Sequence, residues 1–196
     1  MSVRLIAGSP AERSRSAALL DEAGRRLTRR GALVERLQIR NLSPQALLLA
    51  DLGHPSIASA VRSVAQADVL VVATPVYKAA YSGVLKVFLD LLSQTALQGK
   101  TVLPLATGGS ANHMLALDYA LRPVLQSLGA RHILSGIYAT DAQVTPTDDG
   151  AYQLNHEIST RLDEAVNTLI TESLRPVLTP AGHFASVAFS QVRCSV

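Results

Sequence analysis

The sequence predicts an α/β fold in which a five-stranded parallel sheet lies between two layers of helices. Short apolar runs recur along the 196 residues, and after each run the apolar residues take up helical spacing. Five such alternations favour a parallel sheet with helices on both faces. A (β/α)8 barrel would require about 50 more residues, so a three-layer sandwich is expected.

The predicted strands are covered on both faces, except for the second. The run 69–73 (Val-Leu-Val-Val-Ala) has no polar residue, as expected of a strand between two helical layers. The second strand alternates and includes Glu35, which indicates an edge or near-edge position. Thr74 and Pro75 are expected to end the third strand, because proline has no N–H for the ladder. The five predicted strands span 3–7, 33–39, 69–73, 101–106 and 132–138.

The helices are predicted from apolar residues that recur along one face. Gly31 and Gly129 follow two of these segments and are expected to end them. Pro123 lies inside another, so a kink or local irregularity is expected there. The polar segment 140–150 predicts a surface loop or a hairpin-like excursion. The predicted helices span 14–30, 55–66, 82–92, 112–128 and 154–174, with a short helical turn within 42–53.

One domain over residues 1–175 is expected, followed by a tail over 176–196 that is weakly ordered or docks on a partner subunit. The sequence starts in a strand rather than in a signal peptide, and no apolar run approaches the roughly 20 residues that span a bilayer. Cys194 is the only cysteine, which excludes an internal disulfide and favours the cytoplasm. The five histidines show no metal-ligand spacing, so neither a metal nor a membrane is expected.

The charge of the chain is mildly basic and evenly spread. Eighteen lysines and arginines stand against 15 carboxylates, a formal net charge of +3. Proteins that bind nucleic acid usually carry a denser basic face, so a nucleic-acid partner is not expected. A mildly basic surface suits small phosphorylated ligands.

Three segments with ligand-binding chemistry follow the first, third and fourth strands. In a sheet of order 2-1-3-4-5 these strands are neighbours, so the segments meet at the carboxyl edge, at the switch point between strands one and three. The segments are 8–16 (Gly-Ser-Pro-Ala-Glu-Arg-Ser-Arg-Ser), 75–82 (Pro-Val-Tyr-Lys-Ala-Ala-Tyr-Ser) and 107–112 (Thr-Gly-Gly-Ser-Ala-Asn).

The first segment has the composition of a phosphate cup. Its hydroxyls, its guanidinium groups and the free N–H groups at a helix start are all phosphate donors. Its spacing matches neither GxxxxGK[ST] nor GxGxxG, so neither an ATPase P-loop nor a dinucleotide motif is supported. N-capping explains one serine, but three serines and two arginines favour phosphate. The candidate donors are Ser9, Arg13, Ser14, Arg15 and Ser16.

The other two segments suggest a flat ligand. Tyr77 and Lys78 suit a planar, anionic or electron-rich group, although by itself this loop could equally cover a sheet edge. Gly108 and Gly109 allow backbone to come close to a ligand. Beside the phosphate cup, the two segments form a slot for a planar ring with a phosphate tail, which is the shape of flavin mononucleotide (FMN).

The three segments resemble the NADPH-dependent FMN reductases of the flavodoxin-like superfamily. The residues that carry this likeness are 8–10, 14–16, 73–86 and 104–110. Within that superfamily the chain is most similar to the FMN reductases of alkanesulfonate utilisation, which serve two-component monooxygenases, and residues 97–100 and 116–125 also resemble that group. The likeness runs from about Val3 to Leu174. It implies a flavodoxin-like three-layer sandwich, an NAD(P)H-dependent oxidoreductase, FMN and NADPH (or NADH) as ligands, and FMNH2 released to a partner monooxygenase in sulfur acquisition. It also implies a homotetramer, with a dimer as the alternative.

The resemblance also implies roles for individual residues. Ser9, Arg15 and Ser16 would hold the FMN phosphate, with Ser14 or Arg13 assisting. Many family members have an arginine where this chain has Ala11, so the choice between Arg13 and Arg15 stays open. The ribityl chain and ring edge would follow Pro75, Val76, Tyr77 and Lys78, and the isoalloxazine edge would meet Thr107, Gly108, Gly109 and Ser110.

No catalytic acid or base is predicted, because hydride passes directly from nicotinamide to flavin. The resemblance places Tyr119 on a helix that packs subunits around the flavin, where flavin-releasing members are suggested to have a π-type turn. Pro123 removes the usual hydrogen-bond donor to the Tyr119 carbonyl. Our hypothesis is that Tyr119 stacks across the dimer and tunes flavin release, and the alternative is a tyrosine that only fills an interface.

Two rival functions remain at this point. The first is an NAD(P)H:quinone or azo reductase with tightly bound FMN. The second is a flavodoxin-like electron carrier, which the basic charge of the chain disfavours because such carriers are usually strongly acidic.

Overall fold

A parallel sheet forms the middle layer of the molecule, in a computed structural model that describes residues 1–173. Its main path has the order β2-β1-β3-β5-β6, with β4 paired to β3 and β7 paired to β5. The strands of this sheet are β1 (Ser2–Ala7), β2 (Leu33–Gln38), β3 (Val69–Tyr77), β4 (Ala80–Tyr81), β5 (Thr101–Gly108), β6 (His132–Ile133) and β7 (Ile137–Thr140). Counted by the five predicted strands, this is the flavodoxin-like order 2-1-3-4-5, with β2 at the edge as predicted.

The helices cover both faces of this sheet, which confirms the three-layer sandwich. They are α1 (Arg15–Arg29), α2 (Pro44–Leu48), α3 (Pro55–Ala65), α4 (Gly83–Leu89), α5 (Arg122–Ser127) and α6 (His156–Ser173). Buried side chains of α1 and α6 form one core with the sheet, and they include Leu20, Leu27, Leu162 and Val166. Those of α3, α4 and α5 form the second core, and they include Ile57, Phe88 and Leu125. The predicted tail (176–196), Cys194 and the domain boundary at 175 lie outside the described residues.

The third strand does not end at Pro75, as was predicted, but continues to Tyr77. Gly8 N–H donates to the Ala73 carbonyl (2.8 Å), so the backbone polar groups of Ala73 point towards β1. Pro75 lies two residues further on and therefore faces the same side, beyond the last β1 pair at Ala7 and Ala73. The missing N–H of Pro75 costs no ladder bond there, and Pro75 stays in register with Thr107 of β5.

The predicted 75–82 loop is instead the tip of a β-hairpin. Val76 pairs with Tyr81, and Tyr77 pairs with Ala80. Lys78 and Ala79 form the two-residue turn with φ of 50° and 64°. Positive φ at both positions matches the twist of a two-residue hairpin, although glycine or asparagine adopts it at lower cost.

Two further predictions were too simple. The fifth strand is broken into β6 and β7 by residues 134–136, and the Arg122 guanidinium donates to the carbonyls of Ile133 and Leu134 (3.1 Å each).

The helix predicted over 112–128 is composite. It runs as a 3₁₀ turn (Ala111–Leu115), a π-helix (Ala116–Leu121) and then α5.

The π-helix confirms the irregularity that Pro123 predicted. The Arg122 N–H donates to the carbonyl of Leu117, five residues earlier. The hairpin-like excursion is confirmed as well, because β8 (Val144–Pro146) and β9 (Tyr152–Leu154) form a separate antiparallel pair.

Ser82 joins three parts of the fold at the carboxyl edge of the sheet. Its hydroxyl donates to the Gly8 carbonyl and accepts from Leu85 N–H (3.2 Å), capping α4, while its own N–H donates to Thr74 Oγ1 (2.9 Å). Ser82 and Thr74 are both 1% exposed. A serine at this point therefore holds the loop after β1 against the end of β3.

We expect Ser82→Ala to lower the free energy of unfolding by about 2 kcal/mol, measured by urea denaturation. The substitution removes a helix cap and leaves the buried Gly8 carbonyl without its donor. Ser43→Ala is the control, because Ser43 caps α2 in the same way (3.3 Å to Ala46 N) at a half-buried position. Equal losses in the two variants would show that Ser82 acts only as a cap.

Candidate functional site

A cleft of about 240 Å³ opens where the three predicted segments meet. Nine of the 13 predicted binding residues line it: Arg13, Ser14, Arg15, Pro75, Val76, Tyr77, Thr107, Gly108 and Gly109. The lining does not include Ser9, Ser16, Lys78 or Ser110. The sheet order thus brings together segments that are up to about a hundred residues apart, as expected for a switch-point site.

The predicted phosphate cup (residues 8–16) is a tight turn that leads into α1. Ser14 caps this helix by accepting from Ala17 N–H (3.1 Å), and its hydroxyl lies 3.3 Å from that of Ser16. Ser9 is 3% exposed and accepts from Ala11 N–H (3.1 Å). Ser9 and Ser16 are therefore buried in the turn, while Ser14 and Arg15 line the cleft at the start of α1.

The two arginines predicted to contact phosphate, Arg13 and Arg15, differ in the contacts that they make within the protein. Arg15 Nε donates to the Val144 carbonyl (3.0 Å) and lies 3.6 Å from Asp141. Arg13 is exposed and forms no ion pair within residues 1–173. Its guanidinium lies over Gly150, where a Cβ atom would come within 2.8 Å of it. Arg13 is therefore the more available of the two for an incoming anion.

The hairpin between β3 and β4 forms one wall of the cleft. Pro75 and Val76 are buried in the wall, and Tyr77 is half exposed beside the cleft. Lys78 lies at the exposed tip of the hairpin and not against the cleft, because the turn carries it away.

Gly108 and Gly109 line the cleft at the end of β5, the strand next to β3, and differ in their surroundings. A Cβ atom on Gly108 would come within 2.6 Å of the Tyr138 hydroxyl, whereas one on Gly109 would meet only Asp141, at 3.8 Å. The Tyr138 hydroxyl donates to the Ser110 carbonyl (2.6 Å) and so fixes the turn after β5. Burial raises the pKa of Tyr138, and the Asp141 carboxylate adds to this, so the hydroxyl keeps the proton that it donates.

Sequence reasoning missed several residues of the site. Asp141 and Tyr152 line the cleft, and Tyr138 supports it from behind. Tyr138 lies on β7, at the end of the predicted fifth strand, Asp141 follows β7 in the segment predicted as a polar excursion (140–150), and Tyr152 lies on β9. An aspartate directly after the last strand was the available signal, because that position lies at the same edge of the sheet.

The arrangement fits a planar ligand with a phosphate. The anion would meet an exposed guanidinium, a serine hydroxyl and a helix N-terminus at one end. The flat part would lie between Tyr77 and the bare backbone of Gly109. The binding roles of all 13 residues stay predictions.

Tyr119 lies apart from the cleft lining, on the π-helix. Its side chain is 78% exposed, and Met114 and Leu115 nearby in the chain are 55% and 54% exposed. A short surface segment therefore presents three large, mainly apolar side chains to solvent.

Fold and site together define a class, an α/β protein of flavodoxin-like architecture with a ligand cleft at the switch point of its sheet. A family model described as NADPH-dependent FMN reductase matches residues 1–145. The chain is 48% identical over 168 residues to the FMN reductase (NADPH) of Escherichia coli K12, covering 86% of this chain and 87% of that protein. It is 47% identical over 169 residues to the FMN reductase (NADPH) of Pseudomonas putida KT2440, covering 86% of each.

A solved structure agrees with these relatives. The apo form of an NADH:FMN oxidoreductase (EMOB) superposes with a TM-score of 0.79 at 39% identity, covering 87% of this chain and 89% of that chain. The chain therefore belongs to the NADPH-dependent FMN reductase family and is an oxidoreductase, which confirms the resemblance seen in the motifs. Within residues 1–173, no helix is long and apolar enough to cross a membrane.

We expect Gly108→Ala to destabilise the fold by about 1–3 kcal/mol in urea denaturation, because the added methyl group overlaps the Tyr138 hydroxyl. Gly109→Ala is the matched control and should change stability by less than about 0.5 kcal/mol. Combining Gly108→Ala with Tyr138→Phe should recover part of the loss, since the second change removes the overlapping oxygen. A double variant whose loss equals the sum of the single losses would contradict this explanation.

Proposed function

We propose that this enzyme uses NADPH to reduce FMN and releases the reduced flavin to a partner monooxygenase of the alkanesulfonate type, in sulfur acquisition in the cytoplasm. The observation that carries the proposal is the cleft, which combines an anion cup, an aromatic wall and a bare glycine backbone at the switch point. Membership of the FMN reductase family supports the reaction.

The proposed work of the protein is binding and orientation. Arg13 and Ser14 would hold the FMN phosphate, and the wall at Tyr77 and the backbone at Gly109 would enclose the ring. When bound, FMN supplies the acceptor for a hydride from the nicotinamide. The backbone N–H groups of the glycine turn would stabilise negative charge in the reduced state.

The main phosphate contact is proposed to be Arg13 rather than Arg15, because the Arg13 guanidinium is exposed and has no ion pair within residues 1–173. Arg15 is already bonded to the Val144 carbonyl and lies near Asp141. Its proposed role is to hold the β8–β9 hairpin beside the cleft.

The release of flavin is proposed to depend on a second copy of the chain. The exposed side chains of Met114, Leu115 and Tyr119 would be covered in an oligomer, a tetramer or otherwise a dimer. Tyr119 would then stack across the dimer, and the π-helix beneath it would allow this segment to adjust as flavin leaves. The alternative, in which Tyr119 only fills the interface, predicts no effect on flavin retention.

The central test is to purify the protein and follow NADPH oxidation with and without added FMN. We expect a colourless protein that oxidises NADPH only when free FMN is present, and a reduced flavin that supports an added alkanesulfonate monooxygenase. A yellow protein that reduces quinones without added FMN would favour the quinone or azo reductase instead. No oxidation of NADPH or NADH with any flavin would favour an electron carrier.

We expect Arg13→Gln to raise the KM for FMN about tenfold, because a charge-assisted contact to phosphate is lost. Riboflavin provides the control substrate, since it has the same ring and no phosphate, and its KM should not change. A comparable rise for riboflavin would mean that Arg13 contacts the ring or supports the fold, and a larger effect from Arg15→Gln would reverse the assignment.

We expect Tyr119→Ala to retain FMN through purification as a bound, coloured cofactor. The measurement is the flavin absorbance of the purified variant relative to protein. Leu115→Ala is the control from the same exposed segment, and it should remain colourless. A colourless Tyr119→Ala protein with unchanged kinetics would leave only the interface-filling role.

A further inference from the structure

A second cleft, here called the arginine cleft, joins the flavin cleft at the phosphate cup. It has a volume of about 510 Å³ and shares Arg13, Ser14 and Tyr152 with the flavin cleft. Tyr77, Gly108 and Gly109 do not line it. The arginine cleft is therefore continuous with the phosphate end of the site and not with the wall proposed to enclose the ring.

Four arginines from four different parts of the chain line this cleft. Arg13 precedes α1, Arg25 lies on α1, Arg36 lies on β2, and Arg40 lies on the 3₁₀ turn (Ile39–Asn41) after β2. The fold gathers them because β2 and β1 are parallel neighbours, with α1 connecting the end of β1 to the start of β2. These residues are up to 27 positions apart, so no sequence motif identifies the cluster.

The charges in the arginine cleft leave a positive excess. The carboxylates that line it are Glu12 and Asp21. Asp21 pairs with Arg36 (3.1 Å); burial raises the pKa of Asp21, and Arg36 and Arg25 oppose that rise. Arg25 also pairs with Glu22, whereas Arg40 forms no ion pair within the part of the chain that the structure describes.

The unpaired guanidinium groups of the arginine cleft are suited to a phosphate monoester. Arg36 pairs with Asp21 and Arg25 with Glu22, whereas Arg13 and Arg40 have no ion pair within residues 1–173, and two unpaired guanidinium groups suit a phosphate monoester with a charge of about −1.5 to −2. Guanidinium groups bind such phosphates through two parallel N–H donors. A neutral ribose hydroxyl would gain little from this arrangement.

We propose that the arginine cleft binds the 2′-phosphate of NADPH and thereby selects NADPH over NADH. This inference rests on the proposed function, since it assigns one end of the nucleotide that reduces FMN. The adenosine end would pass Arg13 and Tyr152, where the two clefts meet. Arg36 and Arg40 are the specificity-determining contacts, because they line the arginine cleft and do not line the flavin cleft, whereas Arg25 pairs with Glu22 on its own helix.

The test compares Arg40→Gln and the double variant Arg36→Gln/Arg40→Gln with the wild-type enzyme, using saturating FMN. Wild-type enzyme should have a lower KM for NADPH than for NADH. We expect the KM for NADPH to rise about tenfold in the single variant and further in the double variant. The KM for NADH should change less than about threefold, because NADH has a hydroxyl at this position. Arg62→Gln, at an exposed arginine of α3 outside the cleft, is the control and should leave both KM values unchanged.

A binding measurement provides a readout without turnover. Adenosine 2′,5′-bisphosphate, titrated by calorimetry, should bind wild-type enzyme and lose about tenfold in affinity in Arg40→Gln. Adenosine 5′-monophosphate, which has no 2′-phosphate, should bind both proteins alike. Arg40 is exposed and has no ion pair within residues 1–173, so its loss should not unfold the protein.

Three results would overturn the inference. Equal losses for NADPH and NADH would show that the arginine cleft does not distinguish the 2′ position. If the variants lost activity with FAD as the flavin substrate while their KM for NADPH was unchanged, the cleft would be assigned to the adenylate half of FAD. A wild-type enzyme with equal KM values for NADH and NADPH would leave the cleft without this role. Failure of the proposed function is separate, because that enzyme would oxidise neither nucleotide in the presence of FMN.

Discussion

The position of the site depends on one buried hydroxyl, that of Ser82. It joins the Gly8 carbonyl to the start of α4, and the Ser82 N–H binds Thr74 at the end of β3. Gly8 has no room for a side chain here, since a Cβ atom would come within 3.0 Å of both the Ala73 carbonyl and Leu85. The phosphate cup and the hairpin wall are therefore held in fixed relation before any ligand binds, which reduces the ordering that binding requires.

The third side of the cleft has its own support. Tyr138 donates to the carbonyl of Ser110 and leaves no space for a side chain at position 108, while Gly109 stays open. Both supports are polar groups with satisfied hydrogen bonds in low-dielectric surroundings, where such bonds are strong and their loss is costly. By contrast, Arg13, Tyr77 and Arg40 are exposed, so the parts proposed to meet ligands keep the freedom to adjust around a rigid base.

The composite helix combines a local and a tertiary constraint. Pro123 cannot donate a hydrogen bond, and the chain responds with a π-helix in which Arg122 N–H reaches the carbonyl of Leu117. The Arg122 side chain then donates to the carbonyls of Ile133 and Leu134, at the break between β6 and β7. One irregularity thus stabilises another, and together they present Tyr119 at the surface. Proline predicted the first irregularity, but no residue in the sequence predicted the second.

The sequence by itself determined the alternation of strands and helices and the two helical layers, because apolar periodicity is a local signal. The sheet order followed from the family resemblance of the glycine- and serine-containing segments at the strand ends. It also predicted an anion-binding role for residues 8–16, since capping serines and arginines lie within this one short segment. Only the tertiary structure decided that β3 continues through Pro75. A proline is tolerated in a strand where no neighbouring strand requires its N–H, and β1 ends before it reaches Pro75. Only the tertiary structure gathered Arg13, Arg25, Arg36 and Arg40 or placed Tyr138 behind Gly108, because these contacts join residues whose separation in sequence carries no periodic signal.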